Sequence, residues 1–385
     1  MPVPFPWRRA LAAAALGCAA GAVQAAAEGA APPRSALDAQ LFYQLLIGEI
    51  ELRAGQHATA YQVFLEAARR TRDPQLFRRA MDVALQARAG SEALSATRAW
   101  RQALPTSTEP LRLQLQILAA LNRVDEAAEP VTALVALTPP AERASLLGAL
   151  PRLFERAPDK MASARMLAQA LAPSLNGALP ERTAARVALG RVWLAAGDKA
   201  QALALAKQAA DEDPAAVTPV ALALELVPST PEAEALVEAH LRRSDVRPAV
   251  RMAWVRLLTS TQRYAKAIDE LERLTAEHPD DAAPYLTLGA LQLELRRFER
   301  ADAALVRYLA LTEPGAVATP TPSASGAAPG ASAPEATSEA AAEAEGETDA
   351  AAIARGRIQA WLMLAQSAEQ RGDYAGAEAW LARVD

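Results

Sequence analysis

Small and apolar residues follow one another along this chain in the pattern of two short amphipathic helices joined by a tight turn. In residues 189–214, Gly190 and Ala202 stand where two antiparallel helices would touch, because helices approach closely only where side chains are small. Gly197 falls in the predicted turn, where a left-handed backbone costs glycine little. Pro214 would end the second helix. The segment therefore predicts a helix–turn–helix hairpin.

The same pattern recurs through most of the chain. A small residue in each predicted second helix gives the series Ala60, Ala96, Ala127, Ala164, Ala202, Ala235, Ala267, Ala301 and Ala377. The first seven steps of this series span 31 to 38 residues, so the repeat is about 34 residues long. Alanine is abundant and strand-forming residues are sparse, which favours helices. The sequence predicts an all-α solenoid, in which each hairpin buries its apolar face against its neighbours.

The hairpins resemble the tetratricopeptide repeat family in specific residues. The family pattern has glycine at its eighth position, a large residue at the eleventh, alanine at the twentieth and proline near the thirty-second. Gly190, Trp193, Ala202 and Pro214 match these positions. Five copies match well, and four are degenerate, namely those around Ala96, Ala127, Ala164 and Ala235. The resemblance implies a right-handed superhelical solenoid of helix–turn–helix hairpins.

The repeats and the composition between them predict the domain organisation. A solenoid of about eight hairpins, several degenerate, is expected over residues 40–313, and a further, apparently truncated hairpin over 351–385. Residues 314–350 are rich in Pro, Ala and Ser, then acidic, with no aromatic residue. Such a segment cannot bury enough apolar surface to offset its ordering entropy, so we expect a disordered insertion, either passive or an acidic tether. Residues 26–39 are expected to be a linker.

The N-terminus has the layout of an export signal. Residues 1–25 carry a basic start and then a weakly apolar run, and cleavage is predicted between Ala25 and Ala26. The alternative is a bacterial lipoprotein signal, since ALGC at Cys18 resembles its cleavage box and would make Cys18 the lipidated first residue. The apolar run is too short for a membrane span. We expect an exported protein, either periplasmic or, if lipidated, on the outer membrane facing the periplasm.

Composition and motifs favour binding over catalysis. The net charge is -5, and outside the acidic insertion and the signal the chain is nearly neutral, so nucleic acid is not an expected partner. His57, His240 and His278 are far apart, and the only cysteine is Cys18, which argues against a metal site. Phosphate loops and nucleophile elbows are missing from the sequence. We expect no cofactor and no enzymatic activity.

The resemblance places a partner-binding groove on the first helix of each hairpin. The family lines its concave face with five positions of that helix. In this chain those positions include Phe42, Leu45, Glu49, Val187, Arg191, Leu194, Met252, Arg256, Leu286, Leu293, Leu362 and Gln366. The lysine and asparagine with which part of the family binds a terminal carboxylate are missing, so an amphipathic helix is the expected ligand. The alternative is that several of these residues pack against neighbouring repeats.

A closer resemblance covers the first repeats. Residues 41–84, and the phrase TRDPQLFRRA above all, resemble exported proteobacterial repeat lipoproteins that partner a periplasmic carboxyl-terminal processing protease. This resemblance implies an adaptor that brings the protease to cell-wall hydrolase substrates. The alternative is an assembly or structural factor for outer-membrane or secretion machinery. The membrane would be contacted only through a lipid at Cys18, and self-association is left open.

Overall fold

A computed structural model describes residues 39–313 and 336–384, with side chains from residue 350 onward in the second range. Within these ranges the chain forms helices and no strand, which confirms the all-α prediction. The α-helices are α1 (Ala39–Arg53), α2 (His57–Thr71), α3 (Pro74–Gln86), α4 (Gly90–Ala103), α5 (Glu109–Ala120), α6 (Ala128–Leu137), α7 (Pro140–Leu153), α8 (Lys160–Ala170), α9 (Leu179–Ala195), α10 (Lys199–Glu212), α11 (Val217–Leu226), α12 (Glu234–Leu241), α13 (Pro248–Ser260), α14 (Tyr264–Glu277), α15 (Ala282–Glu294), α16 (Phe298–Leu311), α17 (Ala336–Gln370) and α18 (Tyr374–Leu381). Short 3-10 helices lie at Val124–Ala127, Pro173–Asn176 and Pro231–Ala233.

Consecutive helices pack in pairs, and the pairs stack in chain order. Each odd-numbered helix packs on the even-numbered helix that follows it, except that α7 packs mainly on α9, and α8 on α6 and α9. Pro151 lies inside the end of α7 and removes a backbone donor there, and a six-residue connection, 154–159, follows. The helical solenoid is therefore confirmed, with the exception that α7 and α8 do not form a closely packed pair. The right-handed superhelical sense stays a prediction.

In seven of the hairpins, the turn between the two helices contains one residue with a left-handed backbone. We call it the turn residue. The turn residues are Gly55, Arg88, Asn122, Gly197, Gln262, Arg296 and Gly372. The N–H group of the next residue bonds to the carbonyl five residues earlier, as Asp198 does to Trp193 at 2.9 Å. This arrangement is the Schellman motif that commonly ends helices. It gives seven first helices a common numbering, counted back from the turn residue.

The helix crossings confirm the role predicted for small residues. A Cβ atom on Gly190 would lie 3.5 Å from the carbonyl oxygen of Ala202 on α10, an ordinary contact, and would clash with the Leu222 side chain on α11. The crossing of α9 with α11, which the sequence did not predict, is therefore the one that requires glycine. The series itself needs one correction, because Ala235 is exposed and Ala233 is fully buried in its place. Pro231–Ala233 forms a 3-10 turn before α12, and this shifts the buried alanine by two residues.

Three apolar cores follow one another along the solenoid. The first extends from α2 to α10, the second from α9 to α16, and the third joins α16 to α17. Helix α9 contributes to two of them, since Leu189 and Val192 belong to the first core and Val187 to the second. Each core therefore holds a set of adjacent hairpins together.

Helix α17 differs from the predicted domain boundaries. It begins at Ala336, so residues 336–350, predicted as part of a disordered insertion, are helical. Alanine and glutamate dominate this stretch, and both are strong helix formers. The predicted signal peptide and the first part of the insertion, 314–335, lie outside the described residues. Among the helices that the structure describes, none is long and apolar enough to cross a membrane.

Candidate partner-binding surface

The first helices of the hairpins form a layer along the solenoid. Helix α7 packs on α5 and α9, α11 packs on α9 and α13, and α15 packs on α17. Ion pairs also join first helices of neighbouring hairpins, including Arg79 with Glu49 at 2.8 Å and Arg191 with Glu225 at 3.1 Å. The side chains of this layer that point away from the second helices are the candidate binding surface.

Four of the twelve predicted groove residues are exposed on this layer. They are Phe42, Arg256, Leu362 and Gln366. Two of them are large apolar side chains on helices at opposite ends of the described chain. These four residues are free to contact a partner, and their role in binding stays a prediction.

Four further predicted groove residues are partly exposed at the surface and partly packed against a core. Leu45, Leu194, Met252 and Leu286 are half-buried, and each packs against one of the three cores. Replacing any of them would therefore disturb packing as well as a partner contact. They are poor choices for testing binding alone.

Two predicted groove residues are buried. Val187 is 3% exposed and Leu293 is 7% exposed, so the prediction that they line an accessible groove is wrong. Val187 lies in the second core because α9 is covered on two sides, and Leu293 is buried in the last turns of α15. A helix with neighbours on two sides needs apolar residues on both, and its sequence does not distinguish these sides.

Glu49 and Arg191 are engaged by neighbouring repeats. Glu49 accepts hydrogen bonds from Nε of Arg79 at 3.0 Å and from Nη2 at 2.8 Å, and the Arg79 guanidinium lies over the Phe64 ring. Arg191 donates to Glu225 at 3.1 Å. For these two residues the structure favours the alternative that they hold neighbouring repeats together.

A pocket between α10 and α12 was not foreseen from the sequence. Its lining combines small, larger apolar and basic or acidic side chains, namely Lys207, Ala210, Asp211, Pro214, Val220, Ala235, Leu236, Ala239, His240 and Arg243. His240 is buried, and burial lowers its pKa. A hydrogen bond with the Pro214 backbone acts in the opposite direction and raises the pKa, but it does not offset the effect of burial. Ala235 and Ala239, one helical turn apart, leave the space unfilled, and this spacing is the signal that could have revealed the pocket. Within 39–313 and 350–384, no cluster of acidic, His or Cys side chains could hold a metal ion.

No protein-family model matches the chain, and no curated protein matches it. The solved structures that are similar to it include the following two. The C-terminal part of a TPR repeat-containing protein from Cytophaga hutchinsonii is 13% identical, covers 80% of this chain and 93% of its own, and has a TM-score of 0.41. Yeast Tom70 is 12% identical, covers 90% of this chain and 91% of its own, and has a TM-score of 0.28. The solenoid is identified by the chain's own hairpins.

Proposed function

We propose that the chain is a non-enzymatic scaffold that binds protein partners on its layer of first helices. The observation that carries this proposal is the exposure of Phe42, Arg256, Leu362 and Gln366 on helices of that layer. Leu362 and Gln366 lie one helical turn apart on α17, and Phe42 lies on α1 at the other end of the described chain, so the layer offers separate points of contact for more than one partner. The tetratricopeptide resemblance of the hairpins supports the same role.

The partners that we propose are a periplasmic carboxyl-terminal processing protease and its cell-wall hydrolase substrates. The support is the resemblance of residues 41–84 to exported repeat lipoproteins. In the phrase TRDPQLFRRA, Phe77 and Ala80 are fully buried, and Asp73 caps α3 by accepting from the Gln75 N–H at 2.8 Å. Much of the resemblance therefore reflects how the second hairpin begins, and the surface residues must be tested separately.

An adaptor of this kind acts through proximity. A scaffold that holds a protease and its substrate together converts their encounter into an intramolecular event, with effective concentrations of about 1 mM for short tethers. Export, to the periplasm or to the periplasmic side of the outer membrane, would place the scaffold beside both partners. The chain itself then needs no catalytic residues.

The experiment is reconstitution with the purified full chain, the processing protease and a cell-wall hydrolase. We expect the chain to bind the protease and to raise the rate of hydrolase cleavage. Leu362→Glu and Arg256→Glu should reduce both effects, because each replaces an exposed side chain of the first-helix layer. Val306→Glu is the matched control, since Val306 is exposed on the second helix α16.

Two results would contradict the adaptor role. If the protease cleaves the hydrolase at the same rate without the chain, the chain is not an adaptor for this reaction. Recovery of outer-membrane or secretion assembly components from an envelope fraction, without the protease, would favour the alternative assembly role instead. If Leu362→Glu and Val306→Glu weaken binding equally, the first-helix layer is not the binding surface.

A further inference from the structure

Helix α1 presents a row of apolar side chains that no described element covers. We call this row the α1 face, and it consists of Tyr43, Leu46, Ile47 and Ile50. Tyr43 is 67% exposed, Ile47 is 45% exposed and Ile50 is 56% exposed. The opposite side of α1, with Leu41 and Gly48 buried, packs on α2. The helix is thus apolar on two sides, although the described residues cover one of them.

The position of the α1 face, counted from the turn residue of its hairpin, can be compared with the same position in other hairpins. Tyr43, Ile47 and Ile50 lie 12, 8 and 5 residues before the turn residue Gly55. In α15 and α17 the residues at the same three distances from the turn residue are all buried. They are Pro284, Leu288, Leu291, Ala360, Leu364 and Ser367.

In both hairpins these residues lie on a first helix that packs against the second helix of the preceding hairpin. Helix α14 packs on α15, and α16 packs on α17. In the third core, Leu305 and Tyr308 of α16 meet Ala360 and Leu364 of α17. The α1 face therefore has the character of an internal packing surface whose partner helix is missing from the described chain.

We propose that two copies of this chain pair through their α1 faces, with α1 of one copy antiparallel to α1 of the other. A twofold axis perpendicular to two paired helices makes them antiparallel and brings the same surface to both sides. Within the solenoid a second helix reverses into the next first helix through a short connection, so an antiparallel neighbour is the arrangement that the face accepts elsewhere.

The charges on α1 suit this pairing. Residues 39–48 of the helix carry no charge, and Glu49, Glu51 and Arg53 lie in its C-terminal part. In an antiparallel pair these charged side chains lie beside the uncharged half of the other copy, so no like charges meet.

The size of the face sets the strength that we expect. Helix α1 has 15 residues, about 22 Å of helix. A single pair of such helices buries less than the roughly 1,200 Å² of the smallest standard interfaces. The pair should therefore be reversible, with a dissociation constant of about 1 to 100 μM.

Sedimentation equilibrium of the predicted mature chain, residues 26–385, tests the proposal, because this chain has no thiol and no acyl anchor. Between about 1 and 300 μM we expect a monomer–dimer equilibrium. Ile47→Glu should weaken it at least about 100-fold, because each dimer would bury two unpaired carboxylates. Val306→Glu should leave it unchanged, since Val306 is 48% exposed on α16, close to Ile47 in exposure and far from the α1 face.

Cysteine pairing tests the antiparallel arrangement. An equimolar mixture of Tyr43→Cys and Ile50→Cys chains, given a mild oxidant, should form the mixed disulfide in clear excess over the twofold ratio to either symmetric disulfide that random pairing gives. An excess of the symmetric disulfides would mean parallel helices and would overturn the proposal.

Three further results would overturn it. One is a monomer at every concentration. Another is a monomer whose denaturant midpoint of unfolding is lowered by Ile47→Glu, which would mean that residues 26–38 of the same chain cover the face. The third is open-ended association, which would mean a head-to-tail contact. None of these bears on binding through Leu362 and Arg256, so failure here and failure of the scaffold role are distinguishable.

Discussion

At the scale of single residues, Glu234 joins two hairpins through one carboxylate. It accepts hydrogen bonds from Arg263 at 2.5 and 2.7 Å and from Lys266 at 2.8 Å, which ties α12 to α14. The bond from Arg263, followed by that from Lys266, lowers the Glu234 pKa to about 2. Because the folded pKa lies below the ordinary value of 4.5, this stabilisation is complete above that pH and is lost as the pH falls towards 2.

Glu234→Gln should therefore remove a pH-dependent contribution to stability. We expect a loss of about 1 kcal/mol at pH 7, since both basic partners are partly exposed, and almost none near pH 2. Urea unfolding at the two pH values measures the difference. Glu238→Gln is the control, because Glu238 contacts Lys266 alone, at 3.3 Å. An equal loss at both pH values would show that the substitution acts through packing instead.

At the scale of the element, the turn residue decides how each hairpin closes. Gly197 has a φ of 88° and Gln262, at the same place in another hairpin, a φ of 59°. A left-handed backbone costs a residue with a Cβ atom roughly 1–2 kcal/mol. We expect Gly197→Ala to lower the free energy of unfolding by about 1 kcal/mol and Gln262→Gly to raise it by up to about 1 kcal/mol.

The matched control for these turns is Gly148→Ala. Gly148 lies inside α7, and no atom lies within 4 Å of where its Cβ would be. The helix propensity of alanine should therefore raise the free energy of unfolding by about 1 kcal/mol. Opposite signs for alanine at Gly148 and Gly197, read from denaturant midpoints, would verify the argument. The same sign at both would contradict it.

At the scale of the whole molecule, the mature N-terminus decides where the scaffold works. We predict cleavage between Ala25 and Ala26, so the intact mass of chain recovered from an envelope fraction should begin at Ala26 and be unaffected by Cys18→Ala apart from export efficiency. The proposed adaptor would then work as a soluble complex. A mass that begins at Cys18 with added acyl groups, and disappears in Cys18→Ala, would contradict this prediction and place the chain on a membrane.

The hairpins could be predicted from the sequence because small residues at crossings leave a local pattern. Gly190 and Ala202 meet as expected, and Gly197 closes the turn between their two helices. What one helix packs against is decided by distant residues, so the burial of Val187 had no local signal, whereas the α10–α12 pocket left only the spacing of Ala235 and Ala239. Helix α1 is the opposite case. Its sequence has the apolar residues of a helix that is covered on two sides, but the described residues cover only one of them.

The sequence of cores along the chain also has a mechanical consequence. Each core joins only adjacent hairpins, so contacts between the first and the last hairpin do not close the described chain into a globule. In a solenoid of this kind, small changes in geometry at each hairpin interface add up along the length of the molecule. We expect tension applied between its two ends to be shared by every interface, so that the solenoid lengthens while each hairpin stays folded.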